Sequence, residues 1–363
     1  MDEFIYVVAA TFSVLSILWY IKYSLGKRTP PLPPGPRGIP ILGYLPFIGR
    51  SNNLFPKLTE LGHKFGPIFK LNLGRKLCVV INSPSLAKEI VRTKDAVFSN
   101  RDASVANLAA SYNASDVVFS ETNSRWATMR KVFVREMMST ASLEASNELR
   151  ANVVGKAVDY VRAHSGKPVK IGELTFRTEL DVIMNMLWGG TIEGVKGEII
   201  AAEFFSVVSK IIDLLGKLNV SDFFPVLARF DFQGVKREME GYVKCVDRIF
   251  DDVIAQHEKK LSCGEIIKKQ GKKDFLQILL ELQNNQDCGH ISISHTQIKA
   301  IMMDIVAGGT DTSAITVEWA MAELMLNLTV MSKAQKELSD VVGWGEDGRR
   351  IPHPEIEISR SSC

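Results

Sequence analysis

Apolar residues run without a charge from Phe4 to Ile21, give way to a proline cluster, and then recur every three to four positions over most of the chain. The first block is 18 residues long. As a helix it would rise roughly 27 Å, close to the hydrocarbon thickness of a bilayer. A cleaved signal peptide is the rival reading, but the start is acidic (Asp2, Glu3) and no small-residue cleavage site follows. Lys22, Lys27 and Arg28 flank its C-terminal end, with Trp19, Tyr20 and Tyr23 as an interfacial aromatic belt. The pattern therefore predicts a transmembrane signal anchor over residues 1–25, with the rest of the chain cytosolic. In that compartment the N-x-S/T triplets at Asn113, Asn219 and Asn327 are chance matches.

Prolines 30, 31, 33, 34, 36 and 40 make residues 26–45 a stiff, extended hinge, or an ordinary linker. A helical domain is then predicted over 46–343. Leu54 to Lys64 reads as a short amphipathic helix closed by Gly66-Pro67. Ile68–Leu73 and Leu77–Ile81, joined through Gly74-Arg75-Lys76, read as a hairpin. Ser83-Pro84 opens a helix to about Arg92. An irregular polar stretch follows from Arg101 to about Asn123, and helical spacing dominates from Ser124 to about Lys273. The charge run Lys268–Lys273 reads as a solvated loop. Asp222–Leu227 sets bulky apolar residues beside Pro225, which suits core packing or a lip dipping into a membrane. The fold class is mainly α with a small β-sheet.

Ser294 and Gln297 have capping-box spacing, so a helix of about 30 residues is predicted to start there. Its middle carries Ala307-Gly308-Gly309-Thr310-Asp311-Thr312-Ser313 within an otherwise apolar element. Two interior glycines cost about 1 kcal/mol each relative to alanine, a conflict that sequences keep mostly at functional sites. The glycines remove side chains, so a flat ligand could lie against the backbone. Thr312 is placed to bond back to the Gly308 carbonyl, which bends or opens the helix and leaves room for water beside Asp311 and Thr312. A kinked structural helix with a satisfied polar pocket is the alternative. Trp126 and Arg130 share a helix face, where an indole N–H and a guanidinium grip carboxylates, or where an Arg simply lies over a packed Trp.

Composition narrows the field. With 46% hydrophobic residues the chain can bury a large core as one or two domains. Lys and Arg number 44 against 41 acidic residues, a net charge of +3, with no basic stripe carrying interleaved aromatics. Nucleic acid is thus not an expected partner. Five scattered cysteines form no zinc-spaced pair. Cys288, His290 and His295 lie closest to a metal set and read as solvated loop residues, so no metal ligand is assigned.

In order along the chain, the anchor, the Pro-Pro-Gly-Pro hinge, Phe98-Ser99-Asn100-Arg101, Trp126 with Arg130, Asp274-Phe275-Leu276 and Gly308–Ser313 resemble the cytochrome P450 superfamily, in its microsomal plant-type branch. The resemblance spans residues 1 to about 343 and implies the N-terminal two-thirds of that fold, preceded by a transmembrane helix. It implies haem as cofactor, with Trp126 and Arg130 on the propionates and the long helix, through Gly308 and Gly309, across the distal face. It further implies Asp311 and Thr312 as proton-delivering catalytic residues and residues 101–124 as the substrate pocket wall. The implied partners are an NADPH-dependent reductase, membrane lipid of the endoplasmic reticulum, and a small lipophilic substrate such as a terpenoid or phenolic.

Members of that family continue with an E-x-x-R helix and a loop whose cysteine thiolate binds the iron. Glu357–Arg360 fits E-x-x-R literally but lacks helical periodicity, and Cys363 lacks the loop context. Residues 344–363 are therefore expected to be an aberrant, disordered tail. Trp344–Arg360, back-translated with freely chosen codons and read one nucleotide later, resembles what the family carries before that helix. A frame change near Gly343 is the expectation, and with no axial cysteine encoded the polypeptide is expected to be inactive. A non-catalytic, membrane-anchored lipophile-binding protein is the alternative.

Overall fold

The computed structural model describes residues 31–48, 54–190, 195–263, 268–269, 272–284 and 293–342, with positions 6, 10, 11, 13–18 and 20 before them. The structure is mainly helical. After α1 (Leu54–Phe65) come strands β1 (Ile68–Leu73) and β2 (Lys76–Ile81). Helices α2 (Val105–Ala110), α3 (Ser124–Glu136), α4 (Asn147–Ala163), α5 (Ile171–Trp188) and α6 (Val195–Leu215) follow. The chain closes with α7 (Val235–Ser262), α8 (Phe275–Asn284), α9 (His295–Leu326) and α10 (Leu328–Val342). Two compact units are formed. One comprises Met1–Arg135, Val207–Gln256 and Leu279–Asp304; the other comprises Glu136–Ser206, His257–Ile278 and Ile305–Cys363.

In the first unit β1 and β2 pair antiparallel from Ile68↔Ile81 to Leu73↔Lys76. Alternation puts Phe69 and Leu71 on the buried face, where they meet Leu61 of α1. The extended proline segment is bound to this hairpin. Lys70 N–H donates to the Pro34 carbonyl at 2.9 Å, and Tyr44 N–H donates to Asn72 O at 2.6 Å. Proline lacks a donor but keeps its acceptor, so the segment expected as a stiff, extended hinge joins the hairpin from Pro34 onward. The helix begun by Ser83 is α-helical over Pro84–Lys88 and widens to a π turn over Glu89–Thr93. Val220–Phe223 and the 3-10 turn Pro225–Phe230 hold Phe224 against Gly74, whereas Val226, Phe230 and Phe232 are exposed.

In the second unit α5 buries Phe176, Leu180, Met184, Leu187 and Trp188 at helical spacing. Phe176 meets Phe205 edge-on at 4.5 Å between ring centres. Asp274 accepts the Gln277 N–H at 2.8 Å, capping α8, and its other oxygen lies 3.1 Å from Nε2 of buried His257. Phe275 and Leu276 are buried beside it in sequence. The Lys268–Lys273 run is no plain loop: Lys268↔Lys273 and Lys269↔Lys272 pair as a short antiparallel ladder.

Among the described residues no single helix is long and apolar enough to cross a membrane. The anchor predicted over 1–25 lies largely outside them, and the positions that are described there are helical. Cys288, His290 and the tail 344–363 also lie outside the described residues.

Candidate functional site

Helix α9 is built at its N-terminus by the predicted capping box. Gln297 N–H donates to Ser294 Oγ at 3.2 Å, and Ser294 N–H donates to Gln297 Oε1 at 3.0 Å. Ile298, Ile301, Met302, Ile305 and Val306 are buried, so the first half of the helix is core. The glycine-bearing middle lies in the second unit, where the two glycines have different surroundings. A Cβ on Gly309 would stand 2.8 Å from Ile183 Cδ1 of α5, so this glycine permits close helix packing. A Cβ on Gly308 would meet nothing within 4 Å, and Gly308 is exposed. The open face that a flat ligand requires belongs to Gly308.

One turn on, exposed Thr312 donates its hydroxyl hydrogen to Gly308 O at 2.8 Å, as the spacing predicted. Buried Thr310 does the same to Val306 O, and Thr316 to Thr312 O. The expected opening of the helix does not follow: α9 remains α-helical from His295 to Leu326. A carbonyl oxygen has two lone pairs and takes a hydroxyl without releasing its backbone partner. Asp311, half-buried, sits about 100° around the helix from Thr312. It lines a cavity of about 390 Å³ with Phe176, Phe205, Glu173 and Glu318. Gly172 makes room there, because a Cβ at that position would stand 2.5 Å from a Glu318 carboxylate oxygen.

Trp126 and Arg130 lie on α3 in the first unit. The Arg130 guanidinium rests 5.6 Å above the Trp126 indole and is exposed. The indole N–H is already donated, at 2.9 Å, to the Val117 carbonyl. The geometry is that of an Arg stacked on an anchored Trp, which leaves the guanidinium as the group facing outward.

Val117 also ties down a residue that the pattern reading passed over. Its N–H donates to Asp304 Oδ2 on α9 at 2.8 Å. Asp304 shares a hydrogen bond with buried Asp116, which in turn accepts the Phe119 N–H at about 3 Å. Burial and the neighbouring Asp116 charge push Asp304 up to about 8. An aspartate inside the run Met302-Met303-Asp304-Ile305-Val306 was the signal available for it; Asp116, in an irregular polar stretch, offered none. Five residues before Asp304 on the same helix, Lys299 lies 2.6 Å from Asp251 and 3.4 Å from Asp247, which also accepts the Tyr112 hydroxyl at 2.6 Å. Among the described residues no group of three or more His, Cys, Asp or Glu side chains is placed to hold a metal. Cys78 is half-buried on β2, and burial pushes its thiol up.

Comparison with known proteins agrees with this architecture. The family model for cytochrome P450 matches residues 33–357. The chain is 33% identical over 359 residues to 7-ethoxycoumarin O-deethylase of Helianthus tuberosus, covering 97% of this chain and 70% of that protein. It is 34% identical to geraniol 8-hydroxylase of Catharanthus roseus, covering 91% and 66%. A zebrafish cytochrome P450 solved with progesterone superposes with a TM-score of 0.65 at 18% identity, over 79% of this chain and 63% of that one. A mainly helical fold with a small sheet and an extended match to one model make the class a haem-protein fold. The chain belongs to the cytochrome P450 family. It spans about two thirds of the length of these relatives.

Proposed function

We propose that this chain serves the haem-dependent insertion of one oxygen atom from dioxygen into a small lipophilic compound of plant secondary metabolism, of terpenoid or phenolic class. The carrying observation is the open Gly308 face, one turn from the exposed Thr312 hydroxyl, on a helix otherwise committed to packing. The residues fit a flat macrocycle: Gly308 presents backbone with no side chain in the way, and Gly309 keeps α9 against Ile183 of α5 so that this face stays fixed. Haem, when bound, supplies the activation of dioxygen. Thr312, its hydroxyl held by Gly308 O, and Asp311, at the wall of a cavity, hold and pass protons. Within the first unit, Arg130 carries a planar fork suited to a carboxylate such as a propionate, and Trp126 supports that fork with its ring while its N–H stays on Val117.

The names of the relatives, acting on 7-ethoxycoumarin and geraniol, support the substrate class. In this reading the domain lies on the cytosolic side of the endoplasmic reticulum membrane, anchored through residues 1–25 and supplied with electrons by an NADPH-dependent reductase. Exposed Val226, Phe230 and Phe232 give it apolar contact with lipid.

No axial ligand is assigned. An iron-binding cysteine needs an accessible thiolate, and Cys78 is a half-buried thiol raised by desolvation. Cys78 is therefore not assigned to the iron. A reduced carbon monoxide difference spectrum of membranes carrying this chain tests the cofactor assignment. A haem signal is expected, and no haem signal at all would remove the assignment.

A further inference from the structure

Residues 112–114 are three consecutive non-glycine residues in the left-handed region, with φ of 52° at Tyr112, 60° at Asn113 and 56° at Ala114. Such conformations cost about 1 kcal/mol or more each and persist only where the surroundings over-determine them. Here the N-terminal side is held by Ser111, whose hydroxyl donates to Asn107 O and accepts from Ala114 N–H, and by the Tyr112 hydroxyl on Asp247. The C-terminal side depends on Asp116, and on Val117, whose N–H reaches Asp304 and whose carbonyl takes the Trp126 indole. Two carboxyl groups that share a side-chain hydrogen bond require a proton between them. Burial raises both Asp304 and Asp116, and the Asp116 charge raises Asp304 further.

We propose that Asp304 and Asp116 form a proton-held clasp that fastens the strained loop 111–120 to helix α9, and that removal of this proton releases the loop together with the Val117 carbonyl that positions Trp126. The groups acting on Asp304 are Asp116 and the N–H groups of Val117 and Val118. Lys299, the nearest cation along the same helix, is engaged by Asp247 and Asp251 of α7, and no cation is among the groups that act on Asp304 within the described residues. Tyr112, also turned to Asp247, is raised by burial and that carboxylate and stays protonated. His295 faces Asp251 at 3.7 Å.

The direction of the pH effect follows from linkage. The closed loop keeps a proton that an opened, solvated Asp304 would release, so closure is favoured most at low pH. It weakens as pH rises from the ordinary carboxyl range towards about 8 and levels off above that value. Hydrogen exchange of the full chain, read on peptides covering 117–126 and corrected for intrinsic rates, should show protection falling by up to about tenfold per pH unit between pH ~6 and ~8, then flattening. Asp304→Asn, which retains a donor for Asp116 and an acceptor for Val117, should make that protection independent of pH. Asp116→Asn should narrow the pH window. Infrared spectra of the unaltered chain should show a protonated carboxyl at pH 7 that disappears above about 8. Protection indifferent to pH, a slope that survives in Asp304→Asn, or no protonated carboxyl at pH 7 would each overturn the clasp.

Discussion

Gly308 and Gly309 are chemically identical neighbours that the helix places in opposite surroundings, one open and one where an added Cβ would stand 2.8 Å from Ile183 Cδ1. Their substitutions should therefore diverge. Gly308→Ala fills open space in a helix interior and should stabilise the fold by about 0.5–1 kcal/mol. Gly309→Val drives branched carbon into Ile183 and should destabilise it by about 1–3 kcal/mol. Denaturation midpoints of the two variants check this, and equal shifts would contradict the assignment. The sequence marked both glycines as costly, but spacing alone could not tell which served packing, because that depends on Ile183, 126 positions earlier in the chain. The same holds for Trp126. Its helical neighbour Arg130 was readable from the four-residue spacing, whereas its anchor, Val117, is a backbone carbonyl and carries no side-chain signature.

At the scale of elements, local chemistry was the most legible. The Ser294–Gln297 box, the Ile68–Ile81 hairpin and the Thr312-to-Gly308 bond all depend on contacts within a few residues or across one tight turn, and all form as expected. The box makes a prediction of its own. Ser294→Ala should cost about 1 kcal/mol and raise amide exchange in the first turn of α9, with little change beyond it. Uniform loss of protection along the helix would show that the cap holds more than its own turn. Long-range placements were less legible. The proline segment was expected as a stiff, extended hinge or a linker, and its docking partner was not legible: the Pro34 carbonyl accepts Lys70 N–H and ties the segment to the hairpin. The unopened α9 shows that threonine back-bonding adds to a helical carbonyl without displacing its partner.

For the whole molecule, family membership rests on a match over residues 33–357 and on relatives about a third identical to it over the aligned residues. Ordered motifs revealed that membership in the sequence, although each motif taken singly is short. The division into two units was not visible there, because α6, α7, α8 and α9 each pass from one unit to the other without a break in periodicity. What the whole account requires is that the backbone face at Gly308 receives the macrocycle. Haem titration of the full chain in membranes, followed by its Soret absorbance, measures this directly for the unaltered protein, Gly308→Phe and Arg130→Ala. Saturable binding that is abolished by Gly308→Phe and weakened roughly tenfold by Arg130→Ala, about 1.4 kcal/mol, is the expected result. Undiminished binding by a correctly folded Gly308→Phe protein would contradict it.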